Sequence, residues 1–297
     1  MIYSIRHETK YVYSDSVMLC QNQACLQPGT FPGQSCDAFT LEIFPEPLVR
    51  RPWTDYFGNR IWYFAFDQPH DKLIVTARSR LYRELPPPID PKNSPSWEDC
   101  RERLRYPTDL ETRKAAQFIA ESPYVRYLNE AAEFAESSFR SGRTLLLAVS
   151  DLTERIFSEF DYDPTATVLQ TPTVDVLRRR RGVCQDFAHL QICCLRSLGL
   201  AARYVSGYLL TDAPPGGTKL VGADASHAWL SVYCPGLGWV DFDPTNNCIP
   251  QHRHLTAAWG RDYGDVAPIR GVFVGGGRHT MSVAVDVVEV PTFDTTK

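Results

Sequence analysis

Residues 182–200, GVCQDFAHLQICCLRSLGL, constrain this chain more than any other stretch. Phe187, Leu190, Cys194 and Leu198 fall on one helical stripe, with Ile192 and Leu195 beside it. That spacing predicts a helix apolar around most of its circumference, which a fold must bury in its interior. Gly199, free to take a positive φ, ends the pattern as a helix C-terminus requires. Cys184 then falls in the first turn, among amide N–H groups without intrahelical partners and at the positive end of the helix dipole. That setting favours the thiolate, the nucleophilic form of cysteine. Arg178 to Arg181, just upstream, are expected to add to the same bias.

A second stretch, residues 226–246 (SHAWLSVYCPGLGWVDFDPTN), supplies what a reactive thiol needs. Residues 227–233 alternate as a strand does, residues 235–238 are turn chemistry, and residues 239–242 read as a second strand. His227 opens one strand of this hairpin and Asp243 closes the other. Antiparallel pairing can bring the two ends together, so that an imidazole and a carboxylate meet within hydrogen-bonding reach. A thiol on a helix N-terminus with such a pair is the set of parts for nucleophilic acyl chemistry. Cys184 is the nucleophile, His227 the proton carrier, and Asp243 the group that orients the imidazole. Asp241, two residues earlier on the same strand face, competes with Asp243 for that role.

Three ordered segments, Gly182-Val-Cys-Gln-Asp-Phe-Ala-His189, Ser226-His-Ala-Trp229 and Gly238-Trp-Val-Asp-Phe-Asp-Pro-Thr245, resemble the motifs of the bacterial transglutaminase-like proteins, within the papain-like thiol superfamily. Residues 1–85 resemble the β-rich N-terminal domain that accompanies that core, through His7-Glu-Thr-Lys-Tyr-Val-Tyr13, Asp55-Tyr-Phe-Gly-Asn59 and Pro69-His70. The resemblance implies an α+β chain. An N-terminal antiparallel β-sandwich-like domain (1–85) and a Pro-rich linker (86–96) precede a papain-like, transglutaminase-like core (97–297), with a helix-borne Cys packed on an antiparallel sheet. It also implies a Cys184, His227, Asp243 triad, with Asp243 preferred because the family's aspartate lies in Asp-Pro-Thr. The superfamily includes proteases, acyl transferases and inactive relatives. Amide hydrolysis is the expected activity, with acyl transfer from glutamine to amines, or a non-catalytic binding role, as the alternatives.

Composition bounds the rest. The chain has 297 residues, 43 % hydrophobic and 22 % charged, with a formal net charge of −4. That is an ordinary globular balance and too weak a charge to imply nucleic acid or a membrane surface as partner. No run is long enough to span a bilayer, and the first residues lack the pattern of a secretory signal. Nine cysteines without paired spacing point to reduced thiols and a cytoplasmic protein. The expected partner is a peptide or protein substrate; the oligomeric state is left open.

In chain order, residues 2–13, 17–26, 38–44, 61–66 and 73–82 read as strands, and the prolines of residues 85–91 break the pattern. Helices are expected at 97–104, 110–120, 124–139 and 143–160, a strand at 201–210, and a Gly- and Pro-rich loop at 211–224. Residues 250–264 read as irregular, and residues 272–273 and 280–290 as closing strands of the core.

The remaining candidates surround the thiol. An oxyanion formed at an attacked carbonyl needs preorganised donors. The Cys184 N–H is one, and Tyr162, standing where better-known transglutaminases carry Trp, is a side-chain candidate. Gln185 is another, although it follows the nucleophile where papain's Gln precedes it. Trp229, Asp186 and His189 are candidates for the substrate cleft, His189 with a structural role as its alternative. No cofactor and no metal is expected. Cys193 and Cys194 are adjacent in mid-helix and cannot both point at one ion, His252 and His254 lack a carboxylate partner at recognised spacing, and no calcium-loop or phosphate-loop pattern is present.

Overall fold

A computed structural model describes residues 1–211 and 226–290; the expected loop at 211–224 therefore lies almost wholly outside the described residues. The chain opens with five strands, β1 (Ile2–Gln27), β2 (Gln34–Phe44), β3 (Val49–Thr54), β4 (Arg60–Phe66) and β5 (His70–Arg83). Four helices follow, α1 (Trp97–Arg105), α2 (Leu110–Ala116), α3 (Asn129–Glu136) and α4 (Leu145–Glu159). Two-residue strands β6 (Asp161–Tyr162) and β7 (Arg181–Gly182) bracket α5 (Thr173–Arg179) and lead into α6 (Cys184–Ser197). Then come β8 (Ala202–Leu209), β9 (Ser226–Cys234), β10 (Gly238–Phe242), β11 (His254–Gly260), α7 (Tyr263–Val266), β12 (Ile269–Gly275) and β13 (His279–Val290).

The two strands expected at 2–13 and 17–26 are one bent strand. The first half of β1 pairs with β5 and β13, the second half with β4 and β12, and the ladders shift register around residues 12–19. At about 3.3 Å per residue, a flat strand of this length would outrun its neighbours; the irregularity turns the corner and folds one half of the sheet over the other. Val17, Cys20, Phe64 and Phe66 from one half then pack with Leu41, Leu73 and Val75 from the other, the sandwich-like arrangement expected. The closing strands, however, belong to this first sheet. The buried Val285 and Val287 pack with Tyr3, Ile5 and Leu81.

The second sheet has the order β10-β9-β8-β11. Its fourth strand, β11, lies inside the segment read as irregular. It was hidden because HLTAAWG carries small residues where a strand signal needs branched or aromatic ones. Side chains of one face (Ala202, Tyr204, Ala228, Leu230, Val232, Val240, Phe242) join the α6 core. Two of the predicted helices are shorter than their patterns. The second ends at Ala116 and continues as a 3-10 turn over Gln117–Ile119, and the third begins only at Asn129, because Ser122 and Val125 close a turn on each other through N–H to O bonds of 2.8 and 3.1 Å.

Strand β11 is also bolted to the N-terminal sheet. Gln34 accepts from Thr256 N (3.0 Å) and donates to Thr256 O (2.8 Å). Asn59 accepts from Trp259 N (3.1 Å) and donates to Trp259 O (2.8 Å). Each buried amide thus replaces one peptide of a strand that is not there. Losing either would strand two backbone groups at about 1–3 kcal/mol apiece.

Candidate active site

Helix α6 is held at both ends. At its C-terminus Gly199 has φ +79°, Leu200 N donates to Leu195 O and Gly199 N to Arg196 O, both at 2.9 Å, the double closure that a left-handed residue permits. The buried Arg196 donates to Ala202 O (2.9 Å) and Arg261 O (2.6 Å). At the N-terminus Val183 stands in the capping position without a side-chain acceptor, a deficit of about 1 kcal/mol against a polar cap. Leu190, Ile192 and Leu195 are fully buried and contribute about 1.5–3 kcal/mol each, so packing decides that the helix forms. Asp186 bends back instead and accepts from Val183 N at 2.9 Å and from Thr167 Oγ1 at 2.6 Å. Gly182 makes room for it: a Cβ there would lie 2.8 Å from Asp186 Oδ2.

Cys184, the first helical residue, is partly exposed. The β9–β10 register pairs Phe242 with Leu230 and Asp241 with Ser231, which leaves Asp243 diagonal to His227 on the face away from the helix core. His227 Nε2 lies 2.7 Å from Asp243 Oδ2, and the Cys184 side chain is near enough to act on the same ring. With Nε2 committed to the carboxylate, Nδ1 is the nitrogen left for the thiol. Burial pulls the His227 pKa down, but Asp243 and the Cys184 side chain outweigh it and raise the value to about 10. Burial acts to raise the Asp243 pKa, yet His227, His254 and Asn246 together hold it well below the usual carboxylate range.

Asp243 is fully buried and saturated with donors. Oδ1 accepts from Thr245 N (2.9 Å) and Asn246 N (3.2 Å); Oδ2 accepts from Asn246 Nδ2 (2.6 Å) and sits 2.9 Å from His254 Nε2. His254 thus has the carboxylate partner that linear spacing hid, because β11 brings it in from eleven residues away. His254 and Asn246 are the two site residues that the sequence reading missed. Asn246 directly follows Asp-Pro-Thr, and that position was the one available signal. The ligand atoms of His227, Asp243 and His254 lie within 4.8 Å of one another, close enough to share a metal ion. Both imidazole nitrogens point at a single carboxylate oxygen at hydrogen-bond distance, which is how donors gather on an acceptor.

Asp241 does not compete for His227. It accepts from Trp229 Nε1 (3.1 Å) and from the Ser231 hydroxyl, and Trp229 in turn stacks on His227 with ring centroids 6.0 Å apart.

The three cleft candidates lie inside the protein. Trp229 is fully buried beneath His227. Asp186 is buried as the helix brace, and burial raises its pKa. His189 is buried, stacks on Tyr124 and accepts from Tyr263 N at 3.1 Å; burial lowers its pKa to about 3 and keeps it neutral. None of them forms a cleft wall, because their rings and carboxylate are spent on internal partners. Tyr162 is exposed, and its pairing with Gly182 in the β6–β7 ladder places it beside the turn that leads to Cys184. Gln185 is half-buried. The arginine run faces elsewhere: Arg178 pairs with Glu130 (2.5 Å), Arg180 with Glu159 (3.0 Å) and Arg181 with Asp163 (3.9 Å). Three of the four arginines are thus paired with acids of their own surroundings.

Two family models match the chain. The bacterial transglutaminase-like N-terminal region covers residues 3–81, and the transglutaminase-like superfamily model covers residues 132–244. An uncharacterized protein of Mycobacterium tuberculosis is 38% identical over 294 residues, 96% of this chain and 92% of that one. One from Mycobacterium leprae is 30% identical over 292 residues, 96% and 97% of the two chains. A protein-glutamine gamma-glutamyltransferase of Pseudomonas aeruginosa is 32% identical over 108 residues, 34% of this chain and 16% of that one. A crystal structure from Cytophaga hutchinsonii, described as a candidate cysteine protease, superimposes with a TM-score of 0.79 at 20% identity, covering 99% of this chain and 92% of that one. Among the described residues no helix is long and apolar enough to cross a membrane.

Proposed function

Because this chain belongs to the transglutaminase-like superfamily and carries that family's bacterial N-terminal region, we propose that it is a cysteine-dependent amide-bond hydrolase acting on peptides or proteins. The observation that carries the reading is His227 bonded to Asp243 at 2.7 Å with the Cys184 side chain acting on the same ring. The imidazole takes the thiol proton, and the thiolate attacks an amide carbonyl. The new C–S bond pushes the carbonyl electrons onto oxygen, where the Cys184 N–H and Tyr162 are the candidate donors. Collapse breaks the C–N bond as the imidazolium protonates the departing amine. A water molecule, deprotonated by the same imidazole, then cleaves the thioester. Asp243 keeps the ring in one tautomer throughout and stabilises its charged form. The nine cysteines are unpaired, which fits a reducing compartment such as the cytoplasm.

Acyl transfer to an amine shares every step up to the thioester. It is the second reading, favoured by the partial match to the Pseudomonas glutamyltransferase.

Thiol labelling followed by substrate turnover tests the proposal. Of the three partly exposed cysteines, burial raises Cys36 to about 11 and Cys248 to about 12. Iodoacetamide at neutral pH, read by mass for each cysteine, should therefore modify Cys184 first. His227→Ala should slow that modification, because the thiol then loses the imidazole that accepts its proton. Labelling of Cys184 no faster than of Cys36 and Cys248 removes the enzyme reading. Release of fluorescent amine from peptide amides, with and without added primary amine, separates hydrolysis from transfer.

A further inference from the structure

The face of the second sheet that carries His227 continues into an open cavity of about 720 Å³, lined by the sheet, the loop around Phe31 and the proline-rich segment 85–89. Two arginines enter it. Arg203, on β8 opposite Ser231, is sandwiched between two indoles, with its guanidinium carbon 4.4 Å from the Trp239 ring centre and 4.3 Å from that of Trp259. Arg83, at the end of β5, is 8 % exposed and lies over Phe31 at 5.8 Å. The Nε of each is buried with no hydrogen-bond partner, and among the described residues neither guanidinium forms an ion pair. Buried arginines ordinarily spend their donors on carboxylates or carbonyls, because an unmade bond to a charged group is costly.

Two acids also line the cavity. Asp241 exerts its charge on both arginines, but its oxygens already serve Trp229 and Ser231. Glu84 is exposed at the rim. The unmet demand inside is therefore for acceptors, and the walls around it are aromatic and aliphatic.

We propose that this cavity is a binding site for a small organic carboxylate with an apolar or aromatic body, its head group gripped by Arg83 and Arg203 and its body laid along Phe31, Trp239 and Trp259. Planar guanidinium forks suit a carboxylate in two-point contact. Their aromatic stacking fixes the forks in advance and so lowers the entropy lost on binding. The site is separate from the thiol, with the buried Trp229 standing between them.

The test is calorimetric titration of the full chain as Cys184→Ala, so that no thiol chemistry enters. The ligands are 4-phenylbutyrate, its neutral amide 4-phenylbutyramide, and inorganic phosphate. Saturable one-to-one binding of 4-phenylbutyrate is expected, at least about 10-fold weaker for the amide and for phosphate, the scale of losing a charge-assisted bond or an apolar body. Arg83→Met and Arg203→Met, made separately, should each weaken it by about 10-fold or more. If Arg203→Met fails to fold, Arg203→Lys, which keeps the charge but loses the fork, should still weaken binding. The proposal is overturned if 4-phenylbutyrate gives no saturable heat, if amide or phosphate binds as well, or if affinity survives the arginine changes. In each of these cases the cavity holds water or a ligand of other chemistry.

Discussion

Asp241 and Asp243 lie two residues apart on one face of the same sheet, yet their surroundings differ in kind. Around Asp243 donors outnumber what a carboxylate commonly collects: two backbone N–H groups, one amide and two imidazoles. Around Asp241 there are two donors and, beyond them, two arginines whose buried Nε–H meets no acceptor among the described residues. The first environment makes the carboxylate strongly acidic and commits it to His227. The second leaves two buried Nε–H groups without acceptors and uses the carboxylate to hold Trp229 under the imidazole. One strand thus builds a proton relay and, a pleat away, its mechanical support.

The comparison can be broken most severely at its chemical end. Cys184→Ala should lower the amide-cleavage rate by about 10⁴-fold or more with little change in thermal midpoint, since the side chain is partly exposed. Asp243→Asn should cost about 10³–10⁴-fold in kcat, because an amide in that place favours the wrong imidazole tautomer. Asp241→Asn should cost no more than about 10-fold, the effect of a loosened support; equal losses in the two variants would erase the distinction drawn between the carboxylates.

A pH titration sharpens it further. The folded-state pKa of His227 is raised from 6.5 to about 10. Its stabilisation is therefore complete below about pH 6.5, fades as pH rises, and is gone above about pH 10. Melting temperatures measured from pH 6 to 10 should fall through this window in the wild type, and His227→Gln should flatten the fall. The smallest effect belongs to Gly182→Ala. Its added methyl meets Asp186 and should cost about 1–3 kcal/mol of stability by denaturant titration, with a shift in Cys184 labelling as the helix start is displaced.

Cys184, His227 and Asp243 were legible because each stands in a local signal: a helix start, a strand start, an Asp-Pro turn. His254 was not, for the opposite reason. It reaches Asp243 only through β11, a strand of small residues whose place is set by Gln34 and Asn59, more than 190 positions upstream. Periodicity cannot report a contact of that kind. The cleft roles expected of Trp229, Asp186 and His189 failed on burial, since proximity in sequence to a nucleophile says nothing about which way a side chain faces. The closing strands had the right period and the wrong partner, because alternation specifies a strand without specifying its sheet.

That partner choice bears on how the molecule is made. Strand β1 is flanked by β12 and β13, so one sheet is assembled from both ends of the described chain, with the helices and the thiol-bearing layer inserted between them. During synthesis, β1 waits with one margin open while residues 84–268 emerge, roughly 10–40 s at about 5–20 residues per second. A nascent chain of this kind carries an unpaired strand margin through most of its translation, and is a natural client for whatever holds such margins apart until the last strand arrives.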